Sequence, residues 1–182
     1  WVGRSGAFDL GKIATHTYFE VESNTLDIAR FEKAWQKLID RHDMLRAIIL
    51  TDGTQQVLKS VPKYTIQLHD LRLKHAESLE RSLLELRDRM SHQVLASDTW
   101  PLFEICAALL PDGKTRLFFS IDALILDTWS FQILMKEMTM LYGKPDLELE
   151  PLTITFRDYV MTSVKYQSSG LYLSLIHISE PT

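Results

Sequence analysis

The sequence predicts an α/β fold in which helices flank a mixed sheet. Runs with an apolar residue at every second position, typical of strands, are interspersed with segments whose apolar residues recur every three or four positions, typical of helices. Their order along the chain is β-α-β-β-β-α-β-β-α, which differs from the strict strand–helix alternation of a parallel sheet. With 182 residues, 46% of them apolar, the chain is long enough for one domain or for one lobe of a larger domain.

The first strand and the first helix are predicted near the N-terminus. Residues 15–22 alternate between two faces, as in a half-buried strand. Residues 23–25 offer hydroxyl and amide side chains as N-cap candidates, with Asp27 placed to complement the first turn of a helix that ends at Arg41. The apolar positions of this helix share one face: Ile28, Phe31, Trp35, Leu38 and Ile39.

Three further strands and a long polar helix are predicted in the middle of the chain. Residues 44–50 read as a strand, and the turn sequence 51–54 leads into its hairpin partner. Residues 64–68 form the next alternating run, ended by a His-Asp pair. A helix follows from about Ala76, with a narrow leucine-rich stripe and a solvated charged face.

The last predicted strands lead into a helix that ends at a glycine. Residues 103–110 and 115–121 are two strands joined by the turn sequence Pro-Asp-Gly-Lys. Apolar residues then follow the helical period over 131–142, and Gly143 stands where a helix commonly ends. Another short helix is predicted from Ile154.

The segment between the last strand and its helix holds two carboxylates and a hydroxyl, at Asp122, Asp127 and Ser130. On one helix, residues five apart point in different directions, so the two acids can converge only across a loop. One interpretation is a catalytic pair of Asp122 and Asp127, with the Ser130 hydroxyl as a third catalytic candidate. The alternative is structural: Asp127 caps the following helix, with Ser130 at its third position.

Composition argues against several classes of partner. A formal net charge of −4 gives no electrostatic basis for binding nucleic acid or an anionic membrane, and no apolar run reaches the length of a membrane span. No cluster of histidines or cysteines predicts a metal site. The single cysteine, Cys106, fits a reducing compartment, so we expect a cytoplasmic location. We interpret Trp35, Trp100 and Trp129 as residues that pack in the core or against another lobe.

Four segments together resemble a known family. Asp122, Asp127 and Ser130 match the DxxxxDxxS signature of the heterocyclisation domains of nonribosomal peptide synthetases, a branch of the condensation-domain family with a chloramphenicol-acetyltransferase-like fold. Residues 1–4 resemble the end of the family's first motif, residues 41–46 its second motif, and residues 98–103 the segment that enters the central strand. The resemblance covers roughly residues 1–165 and implies the N-terminal lobe only.

The resemblance implies a substrate class and a set of partners. The intact domain would join an acyl donor to cysteine, serine or threonine and cyclise the product to a thiazoline or oxazoline. Both substrates would arrive on phosphopantetheine arms of peptidyl or aryl carrier domains. A C-terminal lobe and an adjacent adenylation domain are the other implied partners, and no cofactor of its own is expected. Residues for the cyclodehydration step would lie in the C-terminal lobe.

The resemblance also assigns roles around the turn. Ordinary condensation domains carry HHxxxDG here, and on that register Ala123 replaces the catalytic histidine, which argues for the cyclising branch. Arg41 and Arg46 have the spacing of the family's paired arginines, and Arg46 is expected to bind Asp127 and keep that carboxylate out of proton transfer. Asp122, followed by apolar residues, is then the better general-base candidate.

Three alternatives remain open on the sequence: a scaffold lobe that binds carrier proteins without chemistry, a plain amide-forming condensation domain, and an unrelated acyltransferase of the same fold. The last of these predicts a histidine at the turn. Trp1 is not an initiator methionine, so we expect the chain to be a fragment. We expect residues 1–166 to form the lobe and residues 167–182 to be a non-native read-through tail.

Overall fold

The computed structural model describes residues 15–167 of the chain. Six strands and four helices follow in the predicted order, with a short 3₁₀ turn at Asp43–Arg46. The strands are β1 (His16–Ser23), β2 (Ala47–Ile49), β3 (Gln55–Val57), β4 (Gln67–Asp70), β5 (Phe103–Leu109) and β6 (Thr115–Asp122). The helices are α1 (Ile28–Arg41), α2 (Ala76–His92), α3 (Thr128–Gly143) and α4 (Phe156–Gln167).

Four of the strands form a mixed sheet in the order β1-β6-β5-β4. β6 is antiparallel to both of its neighbours, whereas β4 runs parallel to β5. The long strands β5 and β6 occupy the centre and are buried along most of their length. β2 and β3 pair in a separate hairpin, closed by a turn in which Gly53 has a φ of 82°.

An aromatic cluster fills the space between one face of the sheet and the helices α1 and α3. Phe119 on β6 stacks on Phe19 of β1 at 4.5 Å between ring centroids and meets Phe31 and Trp35 of α1 edge-on. Phe131 of α3 packs edge-on against Phe19 at 5.1 Å. Trp35 is fully buried, as predicted for a core residue. These contacts fix α1 and α3 on the same side as the odd-numbered residues of β6.

Helix α2 covers the opposite face of the sheet. Leu86 and Met90 on α2 pack against Cys106 of β5 and Phe118 of β6, in a cluster that also holds Leu71. Because neighbouring residues of a strand point to opposite faces, Phe118 and Phe119 belong to different cores. The predicted leucine-rich stripe of α2 is therefore the surface that closes this second core.

The structure corrects several predicted boundaries. The N-cap of α1 is Asp27, whose carboxylate accepts the Arg30 backbone N–H at 3.0 Å, and not one of residues 23–25. The strand predicted over 44–50 is shorter, because Asp43–Arg46 forms the 3₁₀ turn and only Ala47–Ile49 pairs. β4 begins at Gln67, three residues later than predicted, and it extends through the His-Asp pair.

Contacts along the chain divide it into two compact units, Trp1–Leu147 and Glu148–Thr182. The described part of the second unit contains α4, which begins with a capping box: the Thr155 hydroxyl accepts the Asp158 N–H at 3.1 Å, and Asp158 accepts the Thr155 N–H at 3.0 Å. The first family motif, residues 1–4, and the tail from residue 168 onward lie outside the described residues. The boundary expected between residues 166 and 167 stays a prediction.

Candidate functional site

Asp122 is the last residue of β6 and is held in place from several directions. Its side chain is buried, with 2% of the residue exposed. Its Oδ1 accepts the Leu124 backbone N–H at 3.0 Å, and its carbonyl oxygen accepts the Ile125 N–H at 3.2 Å. The next residue, Ala123, donates its N–H to the carbonyl of Thr15 at 2.9 Å. The start of the turn is therefore fixed by backbone hydrogen bonds and by the carboxylate itself.

Asp127 lies at the other end of the turn and caps α3. Its Oδ1 accepts the Ser130 backbone N–H at 2.7 Å, which is the geometry of an N-cap. Hydrogen bonds from Ser130, first from its backbone and then from its side chain, hold the pKa of Asp127 below its usual range. The residue is exposed to solvent. The structural interpretation of Asp127 and Ser130, as cap and third helical residue, is confirmed.

The predicted ion pair between Arg46 and Asp127 is wrong. Arg46 lies beside the 3₁₀ turn and donates to the backbone carbonyls of Ile39, Asp40 (2.6 Å) and Leu58 (3.2 Å). It also forms an ion pair with Asp43 at 2.6 Å. The guanidinium is surrounded by acceptors from its own neighbourhood, so it fixes the end of α1 and the start of the hairpin. The cause of the lowered Asp127 pKa is a helix cap and not a cation.

Arg41 has a partner that the sequence analysis missed. Its Nε lies 3.1 Å from Oε2 of Glu137, and Nε2 of His42 lies 2.7 Å from the same oxygen. All three side chains are less than 20% exposed. A signal was present in the sequence, because Glu137 falls between Leu134 and Met138 on the apolar stripe of α3. A charged residue at such a position commonly has a buried partner.

Three of the family segments meet around the turn. Trp100 Nε1, in the 98–103 segment, donates to the carbonyl of Leu45 in the 41–46 segment at 2.9 Å. The carbonyl of Leu102 accepts the backbone N–H of Asp122 at 3.0 Å. Together with the contact of Arg41 and His42 to Glu137, these bonds connect the two segments to the start of the 122–130 turn and to the middle of α3.

The exposed surface of the turn contrasts with its buried start. Trp129 is 73% exposed, so it is not a core residue of this unit, whereas Trp100 is half-buried and Trp35 is fully enclosed. Ala123 is exposed as well. The turn thus presents Ala123, Asp127 and Trp129 outward while Asp122 lies beneath them.

Neither a cysteine nucleophile nor a metal centre is found in the described residues. Burial, followed by the neighbouring Glu104, raises the pKa of the Cys106 thiol to about 12, so this side chain is protonated at neutral pH. Within residues 15–167, His, Cys, Asp and Glu side chains form no group of three or more that could hold a metal ion. In that same range no helix has the length and hydropathy to span a bilayer.

Comparison with known proteins gives a consistent picture. A family model described as "Condensation domain" matches residues 13–174. Bacitracin synthase 1 of Bacillus licheniformis is 39% identical over 171 residues, a match that covers 94% of this chain and 3% of that protein. Phenyloxazoline synthase MbtB of Mycolicibacterium paratuberculosis is 37% identical over 161 residues, covering 87% of this chain and 13% of that protein. The chain therefore spans a small part of the length of these relatives.

Solved structures agree in fold. The cyclization-docking bidomain of the EpoB nonribosomal peptide synthetase from Sorangium cellulosum superposes with a TM-score of 0.88 at 36% identity, covering 93% of this chain and 34% of that chain. The epimerization domain from the third module of tyrocidine synthetase B superposes with a TM-score of 0.72 at 21% identity, which bears on the fold alone.

Proposed function

Because the chain belongs to the condensation domain family, as its motifs predicted, we propose that it is the N-terminal lobe of a heterocyclisation domain in a nonribosomal peptide synthetase. The intact domain would join a carrier-bound acyl group to carrier-bound cysteine, serine or threonine. It would then cyclise the side chain onto the new amide with loss of water. Carrier domains would deliver both substrates on phosphopantetheine arms, and an adenylation domain would load the acceptor.

The observation that carries this proposal is the 122–130 turn. It has the DxxxxDxxS pattern, with an alanine where amide-forming condensation domains have their catalytic histidine. The structure gives the two acids different environments, since Asp122 is buried at a strand end and Asp127 is an exposed helix cap. Relatives whose names refer to a phenyloxazoline and to a cyclization domain support the cyclising branch.

Within this function we assign the acid–base chemistry of the lobe to the Asp122 end of the turn. Asp127 and Ser130 shape the start of α3, and Arg41 and Arg46 support the site through Glu137 and the backbone around the 3₁₀ turn. Trp129, exposed beside the turn, is available to pack against the C-terminal lobe. A lobe with this arrangement contributes one wall of a site whose other wall lies outside the chain.

The test is a reconstitution with the intact domain. The domain is incubated with a donor carrier that holds an acyl thioester and an acceptor carrier loaded with cysteine, serine or threonine, and the products are measured by mass spectrometry. We expect an amide and then a product lighter by one water. An amide that never loses water would indicate a plain condensation domain. Absence of any acyl transfer with all three acceptors would indicate a binding scaffold and would contradict the proposal.

A further inference from the structure

The helix α3 is apolar on two opposite sides. Its inner side packs on the core through residues that are at most 5% exposed: Leu134, Met138 and Leu141. On its outer side, Trp129, Ile133 and Met140 are 73%, 44% and 40% exposed. A surface helix normally has a polar outer side, and a helix that is apolar all round is usually enclosed. The outer side of α3 therefore has the composition of a buried surface.

Helical spacing places these exposed residues on one line. Ile133 and Met140 follow Trp129 by four and eleven positions, so their directions differ by no more than about 40° and they extend over about 16 Å of the axis. Lys136 lies on the same line, and its apolar stem can lie along the neighbouring side chains. We call the surface formed by Trp129, Ile133, Lys136 and Met140 the outer face of α3.

The outer face begins at the candidate site. Trp129 comes two residues after Asp127, at the end of the 122–130 turn, and its side chain is exposed beside that turn. The proposed function needs a second wall that encloses the turn. A body that supplies this wall has to approach Trp129, and the rest of the outer face continues from there along the helix.

Composition favours a permanent partner on this face over a transient one. Permanent interfaces are more apolar than the interfaces of proteins that also exist apart. A carrier domain leaves after each delivery and would uncover this face each time, and large exposed apolar patches promote aggregation. A lobe of the same polypeptide would cover it continuously. This chain covers 34% of the EpoB bidomain and 41% of the epimerization domain, so most of a domain of this fold lies outside the chain.

We propose that the C-terminal lobe of the domain packs on the outer face of α3. This inference rests on the proposed function, which supplies that lobe, and it identifies the surface by which the two lobes are joined beside the site. The lobe would present apolar side chains along the line from Trp129 to Met140. It would also present an oxygen acceptor opposite Lys136, because burial of an ammonium group without a partner is costly.

The first experiment is photo-cross-linking in the intact domain with both loaded carrier proteins present. Trp129 is replaced by p-benzoylphenylalanine, an aromatic residue that bonds to adjacent C–H groups on irradiation, and the linked peptides are identified by mass spectrometry. We expect links to peptides of the C-terminal lobe of the same polypeptide. Leu84 on α2, 49% exposed on the opposite side of the sheet, is the control position and should form none. Links only to a carrier domain or to a second copy, or no links at all, would overturn the inference.

A substitution in the middle of the outer face is the second experiment. Ile133→Glu would place a carboxylate in an apolar interface and should lower the melting temperature of the intact domain by at least about 4 °C. Thr139→Glu adds the same charge at an exposed position about 120° further around α3 and should change it by no more than about 1 °C. Equal changes in the two variants would contradict the inference.

The two proposals fail in different ways. A domain that forms the cyclised product while position 129 links only to a carrier domain would reject the inference and leave the proposed function intact. A domain that gives the expected links but forms no amide would reject the proposed function and support the interface.

Discussion

At the scale of single residues, Arg46 has the most consequential contacts around the site. Its guanidinium donates to backbone carbonyls of Ile39, Asp40 and Leu58, and its side chain is 13% exposed. Ile39 and Asp40 belong to the last turn of α1, where carbonyl groups lack intrahelical partners. One side chain therefore satisfies the end of a helix and connects it to the hairpin.

Replacing Arg46 should destabilise the fold. In Arg46→Ala the partly buried carbonyls lose a charged donor, and we expect the free energy of unfolding to fall by about 2–3 kcal/mol. Arg46→Lys should recover only part of this loss, because an ammonium cannot reproduce the planar fork. Denaturant unfolding followed by circular dichroism measures both. Arg81→Ala is the control, since Arg81 is 66% exposed and has only a 3.7 Å pair with Glu77; a loss as large as that of Arg46→Ala would contradict the prediction.

The sequence predicted that Arg46 matters but assigned it the wrong partner. The spacing of residues in a motif does not reveal which hydrogen-bond acceptors surround a side chain in the folded protein. Here the 3₁₀ turn at Asp43–Arg46 places the guanidinium against nearby carbonyls before it can reach Asp127. The pairing of Glu137 with Arg41 was missed for a related reason, because it joins residues 96 positions apart.

At the scale of elements, the start of α3 depends on one carboxylate. Asp127 accepts the Ser130 N–H and so satisfies one of the donors that every helix leaves unpaired at its first turn. The helix bears Glu137 ten residues after Asp127 and packs on the aromatic core through Phe131. Fraying at the cap would therefore loosen the turn as well as the helix.

Substitutions of Asp127 should separate the contribution of its N-cap hydrogen bond to stability from the contribution of its negative charge. Asp127→Asn keeps an N-cap oxygen, so its melting temperature should stay close to that of the wild type. Asp127→Ala removes the cap and should cost about 1 kcal/mol. Thermal unfolding of both variants, compared with Asp146→Ala in the loop after α3, measures the difference. Equal losses in Asn and Ala variants would mean that the negative charge, and not the hydrogen bond, stabilises this end of the helix.

Most elements were predictable because their signals are local. Alternation identified β1, helical spacing identified α1 and α3, and turn sequences located the β5–β6 hairpin. The errors are local too: Asp27, expected in the first turn of α1, is its cap, since its side chain and not that of residues 23–25 reaches the Arg30 N–H. Which residue caps the helix depends on the local backbone geometry. In the sequence, several neighbouring polar residues are equally suitable as the cap.

At the scale of the whole unit, ion pairs on the α2 side join three elements. Glu20 on β1 binds Arg87 of α2 at 2.6 Å and lies 3.5 Å from Arg116 of β6. The Arg87 hydrogen bond is the main cause that lowers the pKa of Glu20, against the opposing effect of burial. The same carboxylate accepts the Tyr18 hydroxyl at 2.6 Å. The network holds α2 over the sheet at the rim of its apolar core.

This network predicts a dependence of stability on pH. Because the pKa of folded Glu20 is below its ordinary value of 4.5, its contribution is present above that pH and is lost as the pH falls through the folded pKa. Glu20→Gln should lower the melting temperature at pH 7, and the difference from wild type should shrink below pH 4.5. Glu77→Gln, at an exposed pair, is the control. A difference that stays constant down to acid pH would contradict the assignment.

The arrangement of the strands was the part least accessible to sequence reasoning. The order β1-β6-β5-β4 pairs the first strand with the last, and no local pattern encodes that neighbour. The family resemblance supplied the fold class, which the comparisons confirm. It did not supply the register, and so the position of His16 opposite Asp122 emerged only from the structure.

The anchoring of the turn at both ends has a consequence for its redesign. Residues 122 and 127 are fixed by hydrogen bonds to backbone groups, and the Ala123 N–H bonds to Thr15 whatever side chain it bears. The exposed side chain at position 123 can therefore change without moving either carboxylate. Ala123→His would add an imidazole at an exposed position while the backbone hydrogen bonds that hold the two ends of the turn remain in place.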